Sequence, residues 1–207
     1  MSVKDCGKHS HCHRRKLYRR VFFTLLTFII LILLIILIIY LVLRPKKPRF
    51  ILSSATIYSF NLSSPLSPPS LLTSSIQVTL SSHNPNDNIG IRYDKLDVYA
   101  SYKSQQITLP TSLPPTYQGH NDVNVWSPFI YGSSVPLAPY LSVALAQDEN
   151  AGVALIHVMI DGRLRWKVGS WTSGHYHVHV SCPTLLSFSG GRGDVKLLQM
   201  SACTVDV

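Results

Sequence analysis

The chain has 207 residues, enough for one domain with appendages, and a formal net charge of +9. The charge sits in two short segments: residues 1–20 carry seven Lys or Arg against Asp5, residues 44–49 carry four, and residues 50–207 hold eight basic against nine acidic side chains. A domain so close to neutral argues against nucleic acid as a partner and leaves the basic segments as membrane-flanking charge.

Residues 1–20, MSVKDCGKHSHCHRRKLYRR, are short and polar and read as a disordered cytosolic tail attracted to anionic lipid. Cys6, His9, His11, Cys12 and His13 have metal-ligand chemistry, but their spacing matches no zinc module, so neither a metal nor a cofactor is expected. Cys6 and Cys12 are the candidates for reversible lipidation by a palmitoyl group.

Residues 21–43 follow without a charge, Gly or Pro, and 20 of the 23 are Ile, Leu, Phe or Val. As a helix this run is about 34 Å long against a hydrocarbon core of about 30 Å, which predicts one transmembrane helix with membrane lipid as its partner. A cleaved signal peptide has a shorter apolar region and a small-residue cleavage site, whereas this run ends in RPKKPR. The Lys/Arg bias predicts a cytosolic N-terminus and an outer location for the rest. No small-residue stripe supports pairing of the helix with a copy of itself.

Residues 44–50 read as a Pro-rich stalk, and residues 51–207 as one β-rich domain. Phe50–Asn61 and Leu71–Ser82 have strand composition, the second alternating Ile76, Val78 and Leu80 with polar residues. The prolines of SSPLSPPS make residues 63–70 a loop, and Asn84-Pro85-Asn86-Asp87-Asn88 is a turn cluster. Ile89–Tyr102 predicts a strand, Pro110, Pro114 and Pro115 break the next stretch, and Tyr117–Trp126 predicts another strand. Leu137–Asp148 is the helix candidate of this domain, with Pro139 in its first turn and Gly152 past its end. Val153–Ile160 predicts a strand, Asp161-Gly162 a hairpin turn, and Leu164–Gly169, His175–Cys182, Val195–Leu198 and Ala202–Val207 further strands. Many short strands at regular spacing predict an antiparallel β-sandwich of the fibronectin III/Ig-like kind.

Cys182 and Cys203 are the domain's two cysteines, and outside the cytosol such a pair reads as a disulfide; the alternative is two reduced, unrelated thiols. Asn61-Leu62-Ser63 is an N-glycosylation acceptor, which makes Asn61 a candidate glycan site on the outer side. His175, His177 and His179 alternate with apolar residues, which places them on one strand face; neighbours there are about 7 Å apart, too wide for one ion, so a polar outer face is the expectation. Arg192-Gly193-Asp194 is an RGD triplet in a Gly-rich turn, too short a match to assign adhesion. The sequence has no GxSxG elbow, HExxH or P-loop, so an enzyme is not expected.

Two stretches go further than pattern. NPNDNIGIRYDKLDV (84–98) and GRLRWKVGSWTSGHYHVHVSC (162–182) resemble signature blocks of the plant NHL family, named for non-race-specific disease resistance and harpin-induced expression, and Tyr117-Gln118-Gly119-His120 resembles a third. Arg92 departs from the pattern, where many members have an aromatic residue. The resemblance implies a late-embryogenesis-abundant type 2 domain with a fibronectin-like sandwich. It also implies a plasma-membrane location and a role in defence or stress-response signalling through unidentified protein partners. A tether between plasma membrane and cell wall is the first alternative, and a lipid-binding or dehydration-protective domain the second.

Overall fold

The computed structural model describes residues 8–42, 45–63, 70–188, 195–197 and 201–207. The chain divides into two units, residues 1–44 and residues 45–207.

The first unit is the helix α1 (Lys8–Val42). Its stretch Tyr18–Leu37 is long and apolar enough to cross a membrane, and none of it is buried against protein. Thr24 and Thr27 donate their hydroxyls to the carbonyls of Val21 and Phe23, both at 2.9 Å, so these polar groups are satisfied inside the helix. The helix starts at Lys8, so residues 8–20 are helical where the sequence predicted a disordered tail, while residues 1–7 lie outside the described residues. Adding a residue to an existing helix costs far less than nucleating one, so the apolar segment carries the basic residues before it into its own first turns.

The second unit is a sandwich of antiparallel strands. In chain order it contains β1 (Arg49–Leu62), β2 (Leu71–His83), β3 (Gly90–Tyr102), β4 (Gln105–Gln106), β5 (Thr111–Leu113), β6 (Thr116–Gln118), β7 (Val123–Trp126) and β8 (Phe129–Pro136). Helix α2 (Pro139–Asn150) follows, then β9 (Val153–Val168), β10 (Trp171–Thr172), β11 (Tyr176–Phe188), β12 (Val195–Leu197), β13 (Ser201–Ala202) and β14 (Thr204–Asp206). One layer is β3–β9–β11, with β4, β5 and β6 on the free side of β3 and β14 on β11. The other is β1–β2 with β7 and β8 side by side along β2. Strand β12 pairs with both β11 and β1 and so joins the layers.

The alternation of apolar and polar residues places the core between the layers. Leu52, Val78, Leu80 and Ile130 come from one side, and Ile91, Tyr93, Val98, Ile160 and Val180 from the other, all essentially inaccessible. Tyr93 packs edge-on against Phe50 (6.2 Å) and Trp126 (5.7 Å) of the facing layer. Helix α2 buries Leu141 and Leu145 and has Pro139 in its first turn. It runs from Pro139 to Asn150, two residues later than expected at each end, and Gly152 follows it with φ +80°.

Three expectations are corrected. Asp161-Gly162 is not a hairpin turn: β9 runs straight through it for 16 residues. Strand β3 bulges between Tyr93 and Lys95, and the Lys95 carbonyl comes so close that a Cβ at position 162 would lie 2.0 Å from it. Glycine is needed there for close approach of two backbones, not for a change of direction. Tyr117–Trp126 is two strands, β6 and β7, separated by a turn at residues 119–122. Phe129–Pro136, unassigned by pattern, is the strand β8. In the stretch read as a stalk, Pro48 is already buried and β1 begins at Arg49.

Candidate functional site

The blocks at residues 84–98 and 117–120 build a buried polar lattice at one end of the sandwich. Asn84 donates its amide to the carbonyls of Ile89 (2.7 Å) and Gly119 (2.8 Å), and accepts from the Asn86 side chain (2.8 Å). Asn86 accepts from the Lys46 backbone N–H (2.7 Å) and donates to the Lys46 carbonyl (2.8 Å). Gln118 donates to the carbonyls of Ser82 (2.7 Å) and Asp122 (2.8 Å) and accepts from the Tyr93 hydroxyl (3.0 Å). Burial pushes the Tyr93 phenol well above its ordinary pKa, so it stays a neutral donor. Every one of these groups is satisfied internally, so the lattice holds the fold and offers nothing to a ligand.

The accessible chemistry lies on the outer face of β3–β9–β11. Strand period 2 puts Arg92, Asp97 and Tyr99 of β3 outward, with Asp161, Arg163 and Arg165 of β9 and His177 and His179 of β11. Cross-strand register groups them in rungs: Arg92 faces Arg165, Lys95 faces Arg163 and on to His177, and Asp97 faces Asp161 and on to His179. Asp94, thrown out by the bulge, receives a two-pronged bond from Arg165 (Nε at 2.7 Å, a terminal nitrogen at 2.6 Å), with Arg92 and His175 each at 3.5 Å. Hydrogen bonding from Arg165 holds the Asp94 carboxyl below its ordinary pKa. Burial alone would raise Asp97, but Lys95 at 2.7 Å and the Ser112 hydroxyl outweigh it, and its pKa is lowered. Tyr99 donates to Asp161 at 2.6 Å, and burial together with this carboxylate raises its phenol to about 12. His179 bonds the other oxygen of Asp161.

Two shallow depressions of about 460 and 440 Å³ open on this face. The first is lined by Asp161, His177, His179 and Asp206, the second by Tyr99, Lys103, His157 and Met159. The two-pronged Arg165–Asp94 pair is part-buried and helps to hold the fold, while the more exposed pairs around it contribute little to stability and leave charges of both signs able to orient a charged partner.

Cys182 and Cys203 form a disulfide. Asn61 is exposed near the end of β1. His177 and His179 do share the outer face, but His175 and His179 are tied to different carboxylates, and no group of three metal-ligating side chains exists among the described residues. Of the two tryptophans in the second block, Trp166 is buried and Trp171 exposed. Arg192-Gly193-Asp194, Cys6 and the Cys12 side chain lie outside the described residues. Sequence reasoning passed over Asp94, Asp161 and Arg165. The signal was there in RYDKLD and in Arg163, Arg165 and Lys167, charges repeating at strand period.

Residues 79–183 match the family model described as "Late embryogenesis abundant protein". Over its whole length the chain is similar to NDR1/HIN1-like protein 1 of Arabidopsis thaliana, with 53% identity covering 99% of this chain and 100% of that one. NDR1/HIN1-like protein 12 of the same plant is 46% identical over all of both chains, and NDR1/HIN1-like protein 26 is 42% identical over 90% of this chain and 87% of its own.

Proposed function

The chain belongs to the plant NDR1/HIN1-like family of late-embryogenesis-abundant type 2 proteins, and from that premise we propose that it is a non-enzymatic, single-pass plasma-membrane protein that acts in defence and stress-response signalling by binding other proteins. The observation that carries this reading is the end-to-end similarity at 53% identity, which takes in the apolar helix and the sandwich together. The N-terminus faces the cytosol and the sandwich lies outside, following the Lys/Arg bias. A Cys182–Cys203 disulfide suits an oxidising compartment. Partners dock on the charged outer face of β3–β9–β11, where complementary charge sets orientation and rate of encounter.

Two experiments test it. Gel mobility with and without N-glycosidase, alongside Asn61→Gln and protease protection of the C-terminal domain, reads the topology; a protease-protected, cytosolic domain defeats the outer-face reading. Plants lacking the protein are then complemented with the wild type or with Arg92→Ala/Arg165→Ala and challenged with an elicitor. The reading requires that loss of the protein alters the defence response and that the double variant restores it poorly. Full rescue by a stably folded double variant removes the charged face from the function.

A further inference from the structure

The opposite sheet has a different chemistry. Between Arg49 and Asp87 the sequence has no Asp, Glu, Lys or Arg, and β7 and β8 have none either. The outer face of β1–β2–β7–β8 is therefore uncharged apart from its Arg49 and His83 end, while the other sheet carries charge on successive rungs at Lys167, Arg92–Arg165, Lys95–Arg163 and Asp97–Asp161. Three exposed aromatic rings lie together on it. Tyr58, set out by the bulge between Ile57 and Ser59, is 58% exposed, Phe129 38% and Tyr131 52%. Phe129 and Tyr131, two apart on β8, hold their rings within 13° of parallel at 6.0 Å, and Tyr58 lies 5.6 Å from Phe129. Around them are hydroxyls and an amide. Thr56, Gln77 and Phe129 form one rung, and Ser59, Ser75 and Tyr131 the next. The Gln77 carbonyl accepts from the Tyr58 hydroxyl at 2.9 Å, which leaves its two N–H donors without a protein acceptor among the described residues.

From this face we propose a binding platform for a neutral polysaccharide chain. The flat side of a pyranose presents C–H bonds whose partial positive charge suits the negative face of an aromatic ring. Its equatorial hydroxyls meet Ser, Thr and Gln groups that both donate and accept. A ligand without charge needs no ion pair, and a face without charge attracts no counter-charged competitor. The proposal draws on the outward placement of the sandwich for its biological setting, since a wall polysaccharide is met there, but its chemistry is testable apart from that placement.

The test uses the full chain in lipid nanodiscs, prepared with and without Asn61→Gln, and passed over immobilised neutral β-glucan or polygalacturonate. Wild type is expected to be retarded by the glucan, in a manner insensitive to salt, and not by polygalacturonate. Tyr58→Ala/Phe129→Ala/Tyr131→Ala is expected to weaken retention at least roughly ten-fold, the size of loss that removing aromatic stacking produces. Tyr140→Ala and Trp171→Ala, still more exposed aromatics elsewhere, should change nothing, and equal melting temperatures check that all variants fold. No retention of the wild type overturns the proposal, as does retention that survives the triple variant or binding to polygalacturonate that fades with salt. Retention seen only after Asn61→Gln overturns it too, by showing that the protein's own glycan covers the face. A cytosolic location of the sandwich would defeat the proposed topology while leaving this in vitro result unchanged, so the two failures are distinguishable.

Discussion

Replacing Gly162 with alanine tests the tightest backbone contact of the sandwich. The added Cβ would lie 2.0 Å from the Lys95 carbonyl oxygen, 2.8 Å from a Leu96 methyl and 3.0 Å from the Leu96 Cα. The methyl can rotate away, but the two backbone atoms cannot, because Lys95 and Leu96 are paired with Arg163 and Gly162 in the β3–β9 ladder. The strands must part locally and Leu96, 1% exposed, must shift in the core. Overpacking a core typically costs about 1–3 kcal/mol, and backbone obstruction puts this case at the upper end, about 3 kcal/mol. For a domain of this size that corresponds to a fall in Tm of about 6–12 °C. Gly174 supplies the control, since a Cβ there meets nothing within 4 Å and its φ is not in the left-handed region; Gly174→Ala should be neutral or slightly stabilising. Thermal unfolding of the full chain in detergent, followed by tryptophan fluorescence, reads both. If Gly162→Ala melts within a degree or two of wild type and of Gly174→Ala, the close-approach explanation for this glycine is wrong.

Asn84→Ala should lower unfolding stability by about 2–4 kcal/mol, because it strands buried partners at Ile89, Gly119 and Asn86; an unchanged denaturation midpoint would deny the lattice its structural role. Asn86→Ala should speed hydrogen exchange at the Lys46 amide, and a protected Lys46 in the variant would show that another group holds that segment. Reduction, or Cys203→Ser, should cost about 3 kcal/mol on the chain-entropy account of a 21-residue separation, read as a lower denaturant midpoint. The folded-state pKa of Asp94 is depressed, so its contribution is present above the ordinary carboxylate value of about 4 and fades as pH falls through the folded value. Asp94→Asn should therefore be less stable than wild type at neutral pH, with the two curves converging in acid; parallel curves at all pH would contradict this.

The class of fold and most strand positions were legible because one face of each long strand is core and the other solvent, so alternation reports the layer directly, as in Ile76, Val78 and Leu80. The N-terminal apolar helix was legible from length and absence of charge alone. What was hidden depended on neighbours distant in sequence. Asp161-Gly162 has turn composition, and only the bulge of β3, some 67 residues earlier, shows why a glycine sits mid-strand. Strand β8 carries Gly132 and Pro136 and was obscured by them, yet a Cβ at Gly132 would meet the Ile107 carbonyl at 2.4 Å, again a contact across the fold. The charged face was half visible: strand period placed the histidines outward, but the bulge that brings Asp94 to Arg165 has no local sequence mark. The neutrality of the other sheet was written in the sequence as a 37-residue stretch without a charge, and it became meaningful only when β8 laid Phe129 and Tyr131 beside Tyr58.

The order in which the chain is synthesised matters for a sandwich closed this way. Strand β1 is the first to leave the ribosome, yet its residues Ile51 and Leu52 pair with Ala202 and Ser201, and Thr56 and Ile57 with Lys196 and Val195. Those partners are made about 150 residues later, and at about 5–20 residues per second the delay is roughly 8–30 s. Through that interval one edge of a strand with no charge beyond Arg49 waits open, the arrangement most prone to wrong pairing with a neighbouring nascent chain. The sheet therefore closes, and Cys182 finds Cys203, only once residues 195–203 have been made, and until then the open edge of β1 is a surface for chaperones to cover.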